Sequence, residues 1–275
     1  MNIKFSILIM AGGDGLRLGL DKPKQFCKFF VGSEKTLLQE TFERAKSLGS
    51  CPIYVSTQGK FADLVLEQLP GLHRDFLITE PVKKNTAASL AWSMEVIGSI
   101  QGRTAPVICM PSDHLIVDSS RNYEITMAEA CAEAKSHNCL VTIGIAPSFP
   151  SIQYGYIEIK NKCVLNFHEK PSEEQATKYI EKGYVWNSGI FVWCPWTFLG
   201  ELVRNDNRFD IPIIEKLEYF STVPSVSVDY AVLEKSQSVH CIKGFFKWSD
   251  VGTTESIEGM INDVDFRKEI LECLI

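Results

Sequence analysis

Met10-Ala-Gly-Gly-Asp-Gly-Leu-Arg-Leu-Gly-Leu-Asp-Lys-Pro-Lys-Gln-Phe26 follows a short apolar run, Ile3 to Ile9, that reads as a buried strand. Gly12, Gly13 and Gly15 come immediately after that strand, then Arg17, then Lys22 and Lys24 on either side of Pro23. Glycine carries no Cβ, so the backbone can approach a ligand closely. Free N–H groups at a strand end make a place for phosphate. The cations add charge that backbone dipoles alone do not supply. The stretch therefore reads as a triphosphate cradle with its counter-charges in the same loop; a glycine turn followed by a solvated basic loop fits the same residues.

Two familiar nucleotide signatures are excluded. The chain has no Gly-x-x-x-x-Gly-Lys-Ser/Thr, and the Gly-x-Gly-x-x-Gly frame begun by Gly13 and Gly15 ends on Leu18. The following Pro23-Lys-Gln also breaks the helix that a dinucleotide-binding unit needs at once. A nicotinamide oxidoreductase is accordingly disfavoured.

Outward from this loop the pattern alternates. Helices are predicted at Thr36 to Leu48, Phe61 to Leu69, Thr86 to Ile100 and Tyr123 to Lys135. Thr36 and Gln39 form a capping box for the first, and Gly49 ends it. Strands are predicted at Pro52 to Ser56, Phe76 to Thr79, Val107 to Met110 and Leu140 to Ile145. This rhythm predicts an α/β fold, a mostly parallel twisted sheet with helices on both faces. After Pro147 the rhythm changes. Tyr154 to Ile159 and Val164 to His168 read as paired strands with Asn161 at the turn. A helix follows at Glu173 to Lys182, then an aromatic strand, Val185 to Trp193. Helices are expected near Trp196 to Arg204, Ile213 to Phe220 and Tyr230 to Lys235, a strand at Ser238 to Ile242, and a last helix at Thr253 to Ile261. We expect one domain over 1–275. Residues 1–150 serve mainly the nucleotide; 151–275 form an inserted β subregion for the second substrate and supply a second metal ligand.

The 275 residues carry a net charge of −6. An acidic protein is a poor general binder of nucleic acid, so a bound polyanion must meet a local basic cluster or a metal. No run of about 20 apolar residues exists for a membrane span. The start, Met1-Asn-Ile-Lys-Phe5, enters a strand without a signal-peptide pattern. Nine cysteines, scattered and without Cys-x-x-Cys, argue against a disulfide framework or a zinc site and suit a reducing cytoplasm.

Several motifs carry chemistry. Val107 to Met110 runs into Pro111-Ser-Asp-His114, and ligands of open parallel sheets sit at the carboxyl ends of strands. Asp113 can hold a hard cation such as Mg²⁺ or cap the next turn. Asp250, in Lys247-Trp-Ser-Asp-Val-Gly252, is a second candidate ligand or the cap of the helix after it. Glu80 can accept hydrogen bonds from a base edge; Asn85 can touch ligand or cap the helix that follows. Lys170, after Glu169 and before Pro171, suits a second phosphate as a mobile point charge or is a plain exposed lysine. Tyr154-Gly-Tyr156 and Trp186-Asn-Ser-Gly189 offer the aromatic faces, amides and close backbone that a sugar needs, or form a packed aromatic strand. The five histidines show no metal-ligand spacing.

Taken in order, Ala11 to Arg17, Pro23-Lys-Gln-Phe26, Glu80-Pro…Asn85-Thr-Ala87, Pro111-Ser-Asp-His114, Tyr154-Gly-Tyr156, Glu169-Lys-Pro171, Trp186-Asn-Ser-Gly189, Val228-Asp-Tyr-Ala231 and Trp248-Ser-Asp-Val-Gly252 resemble the mannose-1-phosphate guanylyltransferases, a group of sugar nucleotidyltransferases. The resemblance implies the Rossmann-like sugar nucleotidyltransferase fold. It implies the conversion of GTP and mannose 1-phosphate into GDP-mannose and pyrophosphate, with Mg²⁺. It also implies roles: Gly12, Gly13, Asp14, Gly15, Arg17 and Lys24 at the nucleotide phosphates, Glu80 and Asn85 at base and ribose, Asp113 and Asp250 at the metal, Gly155, Glu169 and Asn187 at the sugar, and Lys170 at its phosphate. Arg17, Lys24 and Lys170 are the expected catalytic cations. The first loop is shorter than the group's usual one and looks more like that of the cytidylyltransferase of isoprenoid synthesis. The chain ends soon after the last motif, so no isomerase activity is expected, and the assembly is expected to be a monomer or homodimer. The rival readings are a nucleotidyltransferase for another sugar 1-phosphate or another nucleoside triphosphate, and a catalytically silent nucleotide-binding subunit.

Overall fold

A computed structural model describes residues 3–14, 22–28, 34–118, 120–210 and 216–251. β1 (Ser6–Met10) has nearly every side chain buried, Ile7 and Ile9 on one face of the sheet and Leu8 on the other. It lies between β2 (Ile53–Gln58) and β4 (Val107–Pro111), parallel to both, and β3 (Leu77–Glu80) adds parallel to β2. α1 (Leu37–Ser47) starts with the expected capping box, Gln39 N donating to Thr36 Oγ1 and Thr36 N to Gln39 Oε1. Its Leu38, Phe42 and Ala45 join Ile7 and Ile9, as do Val65 of α2 (Ala62–Gln68) and Met127 and Ala130 of α4 (Asn122–His137). On the other face Leu8 meets Leu90, Met94 and Ile97 of α3 (Thr86–Gln101) and Phe198 and Leu202 of α6 (Pro195–Asn205). Two covered faces explain why the strands read as continuous apolar runs.

The second half of the chain is woven into the first. β9 (Val185–Trp193) inserts antiparallel between β4 and β6 (Leu140–Ile145). The sheet order is β3-β2-β1-β4-β9-β6-β10-β8-β7, where β7 is Tyr156–Lys160, β8 Cys163–His168 and β10 Val239–Gly244. β8 and β9 oppose the other strands. The hairpin of β7 and β8 turns at Asn161 and Lys162, with φ of 51° and 68°, the pair of left-handed residues that a two-residue hairpin turn demands. β7 also pairs with β9, so β9, β6, β10, β8 and β7 form a ring whose inside is filled by Ile157, Val185 and Cys241.

α5 (Glu173–Glu181) and α7 (Lys216–Thr222) stand where helices are predicted, although residues 213–215 of the second prediction lie outside the described residues. The helix predicted at Tyr230 to Lys235 is a single turn of π type, Asp229–Leu233. Two short strands were not legible: β5 (Leu115–Val117) and β11 (Lys247–Ser249), which pair antiparallel as a separate ribbon. The helix predicted at Thr253 to Ile261 lies outside the described residues. Among the described residues no helix is long and apolar enough to cross a membrane.

Candidate active site

A cleft of about 710 Å³ opens at the carboxyl ends of β1, β3 and β4, where the strand order reverses between β1 and β4. Gly12, Gly13, Asp14, Lys24, Glu80, Asn85, Asp113 and Asp250 all line it. Gly15 and Arg17 lie outside the described residues.

The glycine turn is shaped by amides from neighbouring elements. Gln25, 1% exposed, donates Nε2 to the carbonyl of Gly13 at 2.6 Å and to that of Ala11 at 3.4 Å. Gln58, at the end of β2, donates to the carbonyl of Gly12 and to Asp14 Oδ1. Gly12 and Gly13, so held, line the cleft. Gly12 packs closely on Glu80: a Cβ there would lie 3.3 Å from Glu80 Oε1. Asp14 lines the cleft and is neutralised within it. It pairs with Lys83 and Lys60, and the Lys83 hydrogen bond foremost holds its carboxyl down at about 2. Glu80 is 3% exposed and accepts from Ser89 Oγ; burial pushes its carboxyl above the usual range. Asn85 caps α3, its Oδ1 accepting from Thr86 N at 2.8 Å, and it also lines the cleft.

Lys24 joins the two aspartates. Its Nζ lies 3.0 Å from Asp113 Oδ2 and donates to the carbonyl of Asp250 at 2.6 Å. Asp250 Oδ1 in turn accepts from Tyr154 OH at 2.9 Å. The ribbon of β5 and β11 makes this convergence: Ser249 sits opposite Leu115, so Asp250 leaves the ribbon beside Asp113, which enters it. Burial raises the Asp113 carboxyl, but Lys24 and His114 more than offset it, and the group is held below its ordinary range as an anion. His114 Nδ1 accepts from Trp248 Nε1 at 3.2 Å, and burial pushes its imidazole down to about 4. It is therefore neutral near pH 7. Both aspartates present carboxylate oxygens to the cleft, the ligand type that a hard divalent cation such as Mg²⁺ takes.

The residues assigned to the sugar do not line that cleft. They gather in a second set. Asn187 N donates to the carbonyl of Gly155 at 2.8 Å, and a Cβ on Gly155 would lie 2.5 Å from Glu169 Oε2. Glu169 pairs with Lys170, which takes a positive φ of 46° and whose Nζ is 2.9 Å from Glu169 Oε1. The Asn187 side chain is engaged: Oδ1 accepts from Thr142 and Gly189 N, and Nδ2 donates to Asp229 Oδ1 at 3.0 Å. Asp229, given no role from sequence although it stands in the quoted Val228-Asp-Tyr-Ala231, is pushed up to about 6 by burial and by Glu169. Tyr154 connects the two sets, bonded to Asp250 and packed edge-on against Trp186 and Trp248. Gln25, Gln58, Lys83 and Ser89 were also missed; only Gln25 had a signal, its place in Pro23-Lys-Gln-Phe26.

The profile described as nucleotidyl transferase matches residues 6–265. The chain belongs to the nucleotidyl transferase family. Among nucleotidyl transferases it is 35% identical to a mannose-1-phosphate guanylyltransferase of Sinorhizobium fredii, over 90% of this chain and 53% of that protein. It is 33% identical to mannose-1-phosphate guanylyltransferase RfbM of Salmonella typhimurium, over 98% of this chain and 61% of that protein. The chain thus spans little more than half the length of these curated relatives. A solved structure from Thermus thermophilus, named a mannose-1-phosphate geranyltransferase, superposes with a TM-score of 0.79 at 26% identity, covering 94% of this chain and 79% of that one.

Proposed function

We propose that this chain makes GDP-mannose and pyrophosphate from GTP and mannose 1-phosphate, a phosphate oxygen of the sugar attacking the α-phosphorus in line. The observation that carries the reading is the convergence of Lys24, Asp113 and Asp250 on the cleft that holds the glycine turn. The names of the relatives above supply the choice of sugar and base.

Both reactants are anions. Two unit charges 4 Å apart repel by roughly 4 kcal/mol at an effective dielectric of 20, so several must be neutralised before the atoms meet. The nucleophile is already ionised and needs no general base, and rate then comes from positioning and charge. The N–H side of the Gly12–Gly13 turn receives phosphate oxygens. Lys24 meets the charge that grows on the leaving pyrophosphate, joined by Arg17. Lys170 steers the sugar phosphate, and Glu169 and Asn187 orient the sugar hydroxyls. Glu80 and Asn85 place base and ribose. Asp113 and Asp250 would hold Mg²⁺, which when bound would supply Lewis-acid stabilisation of phosphate charge.

A panel of nucleoside triphosphates against hexose 1-phosphates, read by pyrophosphate release, tests the proposal. Turnover is expected with GTP and mannose 1-phosphate. A preference for another pair would move the specificity while keeping the reaction, and binding without turnover on the whole panel would end it.

A further inference from the structure

At the end of the sheet away from the cleft, three ligand atoms converge. Glu133 and His137 stand one turn apart on α4 and face the same way; His240 comes from β10. One nitrogen from each imidazole and one carboxylate oxygen lie within 4.8 Å of one another. Glu133 Oε1 is 2.8 Å from His240 Nδ1 and 3.2 Å from His137 Nδ1. Lys162 holds the other oxygen, Oε2, at 3.0 Å and also reaches Glu129 at 2.9 Å, which leaves Oε1 turned toward the imidazoles. The Glu133 side chain is 9% exposed and that of His137 56%, so the set has a desolvated base and an open mouth.

We propose that Glu133, His137 and His240 bind a divalent transition-metal ion of the zinc type. Two imidazoles and a carboxylate make three ligands, and solvent at the His137 side supplies a fourth. Nitrogen donors select zinc, cobalt or nickel over magnesium. Ligation requires small side-chain rotations, because zinc takes nitrogen and oxygen at about 2.0–2.2 Å, and it replaces the protons now shared between the Nδ1 atoms and Oε1. With the ion on Nδ1, His240 carries its remaining proton on Nε2, 3.7 Å from Cys163 Sγ, a weak acceptor that fixes the ring.

The location gives the ion a structural role. β10 meets β8 through one register pair, His240 with Cys163, supported by Cys241 N donating to the Lys162 carbonyl at 2.7 Å. This is the thinnest seam of the five-strand ring. The ion ties α4 to β10 beside that seam, and Lys162, on the hairpin turn, is already held by Glu133.

The test uses the full chain stripped by a chelator and dialysed into excess Mg²⁺, so that the cleft aspartates do not compete. Zn²⁺ is titrated by calorimetry and Co²⁺ by its visible absorption. One ion per chain is expected, with a tetrahedral Co²⁺ spectrum and a raised melting temperature. His137→Ala, at an exposed helix end, is expected to weaken affinity at least about tenfold and to abolish the thermal gain without altering the melting of the stripped protein. Glu133→Gln should do the same to binding. Equal affinity in His137→Ala and the parent chain, or no uptake at micromolar Zn²⁺, overturns the proposal. So does binding lost in Cys163→Ser but kept in His137→Ala. Both readouts are independent of the reaction assigned to the cleft.

Discussion

Lys24 is the residue on which the cleft turns. It is a cation with its side chain only 12% exposed, held between a carboxylate and a carbonyl. In the proposed reaction that position would let it meet developing negative charge. Removing it, or Asp113, leaves the partner group of the ion pair unmatched in the cleft. Lys24→Ala and Asp113→Ala are each expected to lower pyrophosphate release by about 10²–10³. Both groups reach solvent at the cleft and neither lies in a hydrophobic core, so circular dichroism should report unchanged folds. Full activity in both variants would refute their roles. Asp229 offers a second test at this scale. Its carboxyl is raised from 3.8 to about 6, so the folded state binds the proton more tightly than the unfolded chain. Stability from this group is complete below about pH 4 and is lost as pH rises through about 6. Asp229→Asn should remove that fall, stabilising the chain at pH 7 relative to pH 4 by at most about 3 kcal/mol, seen as a higher melting temperature at pH 7. A parallel pH profile in the variant would count against it. None of this was readable from spacing: Lys24 and Asp250 are 226 residues apart, and the sequence offers only that both stand at strand or loop ends with chemistry suited to phosphate.

The elements divide by whether their signal is local. The capping box of α1, the left-handed Asn161 turn and the apolar runs of β1, β2, β4 and β6 were legible because each rests on contacts within a few residues or on burial of both faces. β5 and β11 were not, since three residues carry no period and exist as strands only through each other. Yet that ribbon is what delivers Asp250 to Asp113. The helical stretch expected near Tyr230 to Lys235 is present as the π-helical turn Asp229–Leu233; its π type was not legible in the spacing of its apolar residues. The ring of strands depends on a position that sequence alone does not single out. Gly144, inside β6, has no room for a side chain: a Cβ would lie 2.4 Å from Val185 Cγ2 and 2.6 Å from Cys241 Sγ. Those groups fill the ring and have nowhere to retreat. Gly144→Ala is expected to destabilise by about 1–3 kcal/mol, seen as a lower urea midpoint with an unchanged slope. A neutral result would mean that the ring interior can repack.

At the scale of the molecule, the alternating first half and the β-rich second half read as a nucleotide part and a substrate part of one domain, and the sheet gives that reading a physical test. β9 belongs to the second half in sequence but lies between β4 and β6 of the first. Its Phe191 and Trp193 stack on one another and Trp193 on Phe198, all within the core that includes Leu8, Leu90 and Leu140. Without β9, β4 and β6 lose their shared partner, exposing two rows of unpaired backbone groups and leaving a void where Trp193, 0% exposed, sits. Loss of one large aromatic side chain from a core costs about 3–5 kcal/mol, a large part of the 5–15 kcal/mol that holds a typical domain together. Residues 1–150 expressed alone are therefore expected to be insoluble or molten, with no cooperative thermal transition, and the same holds for 151–275. The intact chain should unfold in one transition whose calorimetric and van't Hoff enthalpies agree. If the 1–150 fragment instead melted cooperatively and bound a nucleoside triphosphate, the two halves would be independent units and the shared strand would be an accessory of the fold, not its centre.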